Sequence, residues 1–240
     1  MSRPASFGKL IGSERMALLR QAVLVPCDLA DVIPAGCAGE DVVVLVHGFL
    51  ASAGVFRPLR RRLETETKAR VASFTHAPGA GVRRVATKLA EVVDRLPRSA
   101  RVTIVGHSLG GIVARWYVQE MGGDARVAQT VSLASPFRGV DVPAVLVGAD
   151  VHTDSPLLRR LREGARACSV PHTSIVAGDD TVVEGAGTAC LGVGDVFVLA
   201  GRGHNEVLFD DEAARIVIRG LRRLPPHGTE RTAAPSFAFL

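Results

Sequence analysis

The sequence predicts one α/β domain with a mostly parallel central sheet covered by helices on both faces, and three observations carry that expectation. Short, unbroken apolar runs such as Val42–Val46 (VVVLV) read as strands buried on both faces, as parallel sheets require. Segments with apolar residues every three or four positions separate these runs, so strands and helices alternate along nearly the whole chain. The chain is also large enough: 240 residues, 47% hydrophobic and 22% charged, supply a sizeable core.

The elements follow in order. Residues 1–40 form a segment of unclear role, in which Glu14, Arg15 and Arg20 interrupt any apolar export signal. The default expectation is therefore a cytoplasmic protein, with secretion left open should a leader have been removed. No apolar run reaches the roughly 18–20 residues that cross a bilayer. The body, residues 41–224, starts with strand Val42–Val46. Val55, Phe56, Leu59 and Leu63 then recur at helical spacing, with Pro58 in the first turn, where it is tolerated. Strand Arg70–Phe74 precedes an amphipathic helix marked by Val82, Val85, Leu89, Val92 and Leu96 and stopped by Pro97. Strand Val102–Val105 ends in a serine turn, after which Ile112, Val113, Trp116, Tyr117 and Met121 line a helix closed by Gly122 and Gly123. Strands Val127–Leu133, Ser174–Ala177 and Val196–Leu199 complete the sheet, and a last helix is expected from about Asn205 to Leu221. Residues 225–240 read as a polar, proline-rich tail.

One interval breaks the rhythm. Residues 139–171 make a long excursion between two strands, of the kind that forms a cap or lid or lines an acyl pocket. Leu146, Val147, Leu157, Leu158 and Leu161 give it an apolar face, which suits acyl chains and core packing equally.

The net charge of +5 comes from arginine, and Arg60, Arg61 and Arg62 sit in a helical pattern with few aromatics nearby. That reads as a solvated face, and no nucleic-acid partner is expected. Cys27, Cys37, Cys168 and Cys190 lack zinc-ligand spacing. Disulfides Cys27–Cys37 and Cys168–Cys190 are compatible with export, and four thiols are equally compatible with the pattern.

Chemistry enters at Val102–Gly111, VTIVGHSLGG. A strand, then Gly-x-Ser-x-Gly, then a helix is the pattern of a nucleophile elbow. The sharp reversal strains the backbone at Ser108 and lifts its hydroxyl above the sheet, while Gly106 and Gly110 let strand and helix approach closely. A serine needs a base, and the base needs a carboxylate to hold its tautomer. Strand Val196–Leu199 runs into His204, beyond Gly201 and Gly203 in a loop expected to be mobile. Strand Ser174–Ala177 runs into Asp179 and Asp180. Asp180 is the preferred acid, because the apolar Thr-Val-Val that follows would fix its direction; the register stays open by one residue. Asp195 lies at the opposite sheet edge. His47, His76, His107, His152, His172 and His227 read as surface or satisfied core histidines, with the side chain of His107 directed away from the serine. An oxyanion needs two main-chain donors; the N–H of Leu109 and, from the loop after the first strand, that of Phe49 are the candidates.

HGF at His47–Phe49, GHSLGG at Gly106–Gly111 with ARWYV after it, LASPFRG at Leu133–Gly139, DDTVV at Asp179–Val183 and GHNEVLF at Gly203–Phe209 together resemble the bacterial lipase/esterase family of α/β-hydrolases, including its small, nearly capless lipases. The resemblance runs from Val42 to about Arg222. It implies an α/β-hydrolase fold and hydrolysis of acyl esters. It further implies Ser108, Asp180 and His204 as triad, Phe49 and Leu109 as oxyanion hole, and no cofactor or metal. The family often has Thr-Pro-His-x-Gly where this chain has Ser135-Pro136-Phe137-Arg138-Gly139, a departure that bears on the pocket wall rather than on the triad.

The expected substrate is a small-molecule acyl ester or lipid, with transient contact to a lipid interface as a further partner. A thioesterase, an acyltransferase or a polyester depolymerase would use the same triad. Two readings from other classes are a non-catalytic relative that binds ligands, and a surface-binding module using Met16–Val25 as an interfacial helix.

Overall fold

A computed structural model describes residues 5–141, 148–185 and 187–225, with side chains from Ser13 onward. The elements are α1 (Ala5–Leu24), β1 (Asp41–Val46), α2 (Arg57–Glu66), β2 (Arg70–Phe74), α3 (Val82–Asp94), β3 (Arg101–His107), α4 (Leu109–Glu120), β4 (Val127–Leu133), α5 (Pro156–Gly164), β5 (His172–Ala177), β6 (Asp195–Leu199) and α6 (Asp211–Arg222). Among the described residues the six strands form one sheet, ordered β2-β1-β3-β4-β5-β6, and every pair is parallel.

The strand order decides where a ligand can sit. From β1 the chain steps outward to β2 and then crosses back to β3 on the other side. Loops leaving β1 and β3 therefore diverge, and the crevice between them at the carboxyl edge is the usual binding place in open α/β sheets.

Two apolar layers clamp the sheet. On one face Val42, Val44 and Ile104 pack under α3, α4 and α5, through residues such as Leu89, Ile112 and Leu158. On the other, Val43, Leu45 and Val131 pack under α2 and α6, through Leu59, Leu63 and Val217. Helix α4 is buried from Leu109 to Val118. Even its Arg115 is enclosed, donating from Nη1 to Thr130 Oγ1 at 3.2 Å and to the Val170 carbonyl at 3.1 Å.

Several expectations need adjustment. Leu157, Leu158 and Leu161 are core residues under α4, which settles their half of the apolar excursion in favour of packing. Leu146 and Val147 lie outside the described residues, as does the tail beyond Pro225. The last helix is not continuous from Asn205: a 3-10 turn, Glu206–Leu208, precedes α6. The break comes from Asp210, whose side chain accepts from the N–H groups of Glu212 (2.8 Å) and Ala213 (2.9 Å) and starts a new helix. All four cysteines are free thiols. No helix among the described residues is long and apolar enough to cross a membrane.

Asp210 also accepts from Arg202 Nε at 2.5 Å, so its cap ties α6 to the loop before it. Replacing it with alanine is expected to lower stability by about 1–2 kcal/mol, read from urea unfolding; Asp210→Asn, which keeps the cap, should recover most of that loss.

Candidate active site

The reversal between β3 and α4 puts Ser108 at φ 52° and ψ −118°, a left-handed conformation that side chains resist. Glycines permit it. A Cβ on Gly106 would overlap the Gly110 backbone, and one on Gly110 would overlap the Val46 carbonyl of β1. The serine N–H is held by the Leu133 carbonyl of β4 at 2.8 Å.

Ser108 Oγ lies 3.1 Å from His204 Nε2, and His204 Nδ1 lies 2.8 Å from Asp180 Oδ2. A carboxylate only accepts, so Nδ1 carries the proton and Nε2 is free to accept from the serine hydroxyl. Asp180 is nearly enclosed, and its Oδ1 accepts from the N–H groups of Val182 (2.8 Å) and Val183 (2.7 Å). Asp179 points elsewhere: its Oδ2 accepts from the Gly201 N–H at 2.5 Å, bracing the loop that carries His204. The doublet thus splits into one residue on the imidazole and one on its loop.

The loop after β1 meets the serine from the other side. Gly48 packs tightly there: a Cβ on it would sit 3.0 Å from that of Ser108. His47 and His76 hold this loop, stacked with ring centroids 3.8 Å apart. His47 Nε2 accepts from the His76 N–H at 3.0 Å, so its Nδ1 carries the proton and donates to the Gly48 carbonyl at 2.7 Å. Burial, with the His76 ring adding, pushes His47 down to about 3, and burial also lowers His76.

His107 is a buried neighbour of the site. Its Nε2–H donates to the carbonyl of His204 at 3.0 Å, with the two rings 5.0 Å apart, so β3 holds both the serine and the histidine's main chain. Burial, and secondarily His204 nearby, pushes its pKa to about 3. A single-residue reading had no signal for this contact, because the partner lies 97 residues away.

Ser108, His107 and His204 open into a cleft of about 370 Å³ whose walls are mainly apolar, among them Leu18, Val25, Phe49, Val140, Val151 and Val183. The excursion contributes Val140 and Val151. Pro136 also reaches the cleft, whereas Ser135 and Phe137, the two departures from the family pattern, are wholly buried, Phe137 edge-on to His172. Among the described residues no cluster of three or more His, Cys, Asp or Glu side chains is disposed to hold a metal.

A family model, palmitoyl protein thioesterase, matches residues 42–176, more than half of the chain. The chain belongs to the palmitoyl protein thioesterase family. Solved structures place that family sequence on the α/β-hydrolase fold. A monoacylglycerol lipase of Paleococcus ferrophilus aligns with a TM-score of 0.62 at 15% identity, covering 80% of this chain and 95% of the lipase. The mature lipase of Bacillus licheniformis aligns at 0.60 and 14%, covering 80% and 96%. A lipase-esterase related protein of Clostridium acetobutylicum aligns at 0.58 and 15%, covering 83% and 100%. Comparison with curated protein sequences gives no match. The family is one of thioesterases, and the fold is the one these lipases share. The matched segment carries Phe49, Ser108 and Leu109 and ends before Asp180 and His204.

The buried histidines make a testable statement about pH. His172, between Thr130 Oγ1 (2.8 Å) and Ser132 Oγ (3.2 Å), is pushed well below the ordinary range by burial and by Arg115. In the folded state His47, His107 and His172 bind no proton at pH values where the unfolded chain does, below about 6.5. Stability therefore falls as pH drops from about 6.5 toward 3, with a slope approaching about 1.4 kcal/mol per pH unit for each such histidine. Urea unfolding between pH 7.5 and 4.5 measures it. The His172→Gln variant should start less stable and show a shallower slope; equal slopes would contradict the assignment.

Proposed function

We propose that this chain is a serine hydrolase that cleaves small acyl esters with lipid-like chains through an acyl-enzyme. The observation that carries the reading is the unbroken relay from Ser108 through His204 to Asp180 at the floor of an apolar cleft. Ser108 attacks the carbonyl carbon while His204 Nε2 takes its proton, and Asp180 stabilises the imidazolium. The oxyanion is received by the N–H groups of Leu109 and Phe49, a role supported by the close approach of Gly48 to the serine. The imidazolium then returns the proton to the leaving alcohol. Water, deprotonated by the same nitrogen, attacks the acyl-enzyme, and Ser108 recovers its proton as the acid departs. No cofactor takes part in this cycle.

The family match favours a second reading, cleavage of thioesters. A thiol leaves far more readily as its anion than an alcohol does, since its pKa is about 8.5. The same relay would then be asked for less acid catalysis.

Matched oxygen esters and thioesters, from acetyl to palmitoyl, separate the readings when run on wild type and Ser108→Ala. Wild type is expected to hydrolyse both series, with longer chains preferred, and Ser108→Ala neither; equal activity of the two proteins would sink the enzyme reading. Asp180→Asn should lower kcat by about 1,000–10,000-fold, and Asp179→Asn, which keeps an oxygen to accept from the Gly201 N–H, by less than about tenfold.

A lipid interface is the proposed partner. Met16, Leu19 and Val23 form an exposed apolar stripe on α1, on the side opposite the cleft-facing Leu18, Ala22 and Val25. Arg15 and Arg20 flank it, the arrangement of an interfacial helix over anionic lipid. Sedimentation with anionic phosphatidylglycerol vesicles should pull down wild type. The triple variant Met16→Ser, Leu19→Ser, Val23→Ser should lose most of that binding, and binding equal to wild type would count against this partner.

A further inference from the structure

Helix α1 lies outside residues 42–176, the family segment, yet it meets the site at two places. Glu14 reaches the loop that carries His204. Its Oε1 accepts from the Asn205 N–H at 3.0 Å and from the Asn205 side-chain amide at 2.7 Å. Its Oε2 lies 3.2 Å and 3.3 Å from the N–H groups of Asn205 and Glu206. These are the two residues that follow His204, in a stretch between β6 and α6 that has no strand ladder to hold it. The carboxylate lies against Gly203, in the space a Cβ there would take. The carbonyl of His204 is meanwhile held by His107.

The other end of α1 is pinned beside the loop after β1. Ser52 Oγ donates to the Cys27 carbonyl at 3.1 Å, and a Cβ on Gly54 would overlap the carbonyls of Leu24 and Cys27. Between the two anchors Leu18, Gln21, Ala22 and Val25 recur at one helical face and line the cleft. The helix is a strap, fastened at the base's loop and at the loop opposite.

We infer that Glu14 is a positioning residue for His204, and that α1 sets the acyl chains the cleft accepts because the same strap forms its wall. The chemistry rests on the ester-hydrolase reading above; the strap itself does not. A carboxylate receiving several N–H groups is a strong, charge-assisted anchor, and misplacing a base by about 1 Å is worth about 100-fold in rate.

The experiment compares Glu14→Ala and Glu14→Gln with wild type on the acetyl-to-palmitoyl ester series, alongside amide hydrogen exchange over residues 203–209. Glu14→Ala is expected to lower kcat by about 10–100-fold on every ester. KM should stay unchanged for the acetyl ester and rise for the palmitoyl ester, whose chain lies against α1. Exchange over 203–209 should speed up. Glu14→Gln, which keeps one acceptor oxygen but loses the charge and the second acceptor, should fall between Glu14→Ala and wild type. Wild-type kcat in Glu14→Ala, a Glu14→Gln no faster than Glu14→Ala, or unchanged exchange would each overturn the inference. If Ser108→Ala hydrolyses the esters as wild type does, the ester-hydrolase reading falls, and exchange alone still decides whether Glu14 holds the loop.

Discussion

The turn at Ser108 is where a single backbone conformation governs the rest. A non-glycine residue at φ 52° costs on the order of 1–3 kcal/mol. It persists because both sides of the turn are over-determined. Behind it, α4 is enclosed on every side from Leu109 to Val118, so the helix cannot back away. Beneath it, Gly106 and Gly110 bring the helix backbone against β3 and the Val46 carbonyl of β1. Relaxing the turn would require α4 to leave its layer. The same contact makes the loops after β1 and β3 neighbours, which is why Phe49 and Ser108 border one cleft.

His204 is held by a different principle. It sits on a connection outside the helices and strands, and its place comes from three separate contacts with two parts of the fold, the ends of β3 and β5. Asp180, after β5, takes Nδ1, His107 at the end of β3 takes the main-chain carbonyl, and Asp179 braces Gly201. The imidazoles around the site that are not in the relay are kept neutral by burial. In the mechanism proposed above, a neutral His107 donates from Nε2 without placing a second positive charge beside the imidazolium that would form on His204.

What the sequence discloses follows the range of each interaction. The alternation of buried strands with amphipathic helices is local, so the parallel sheet and most element boundaries are legible. The elbow is also local: a strand, two glycines around a serine and a helix lie within about twenty residues. Asp179 and Asp180 share one strand end and one composition. Only the direction of two turn amides, those of Val182 and Val183, separates their tasks. The break before α6 was obscured because Val207 and Leu208 are buried and fit helical spacing, while the cap at Asp210 resembles any surface aspartate. His107 reads as a strand residue, and nothing near it points to a partner in another loop.

Residues 1–40 were the least legible, for a related reason. A surface helix usually declares itself by one apolar stripe and one polar face. Helix α1 carries apolar residues on opposite sides, Leu18, Ala22 and Val25 toward the cleft and Met16, Leu19 and Val23 outward, so no single periodicity stands out. Arg15, Arg20 and Gln21 fall between these stripes, and neither stripe is buried. The two stripes face different surroundings: one completes a cavity whose other walls come from the sheet edge, and the other is exposed, with Met16 bordering a groove beside Phe209. A strap of this kind needs fixed ends, because the apolar contacts along a half-open cleft are too few to hold it. Glu14 and the close packing at Gly54 supply those ends, one on each loop that borders the serine.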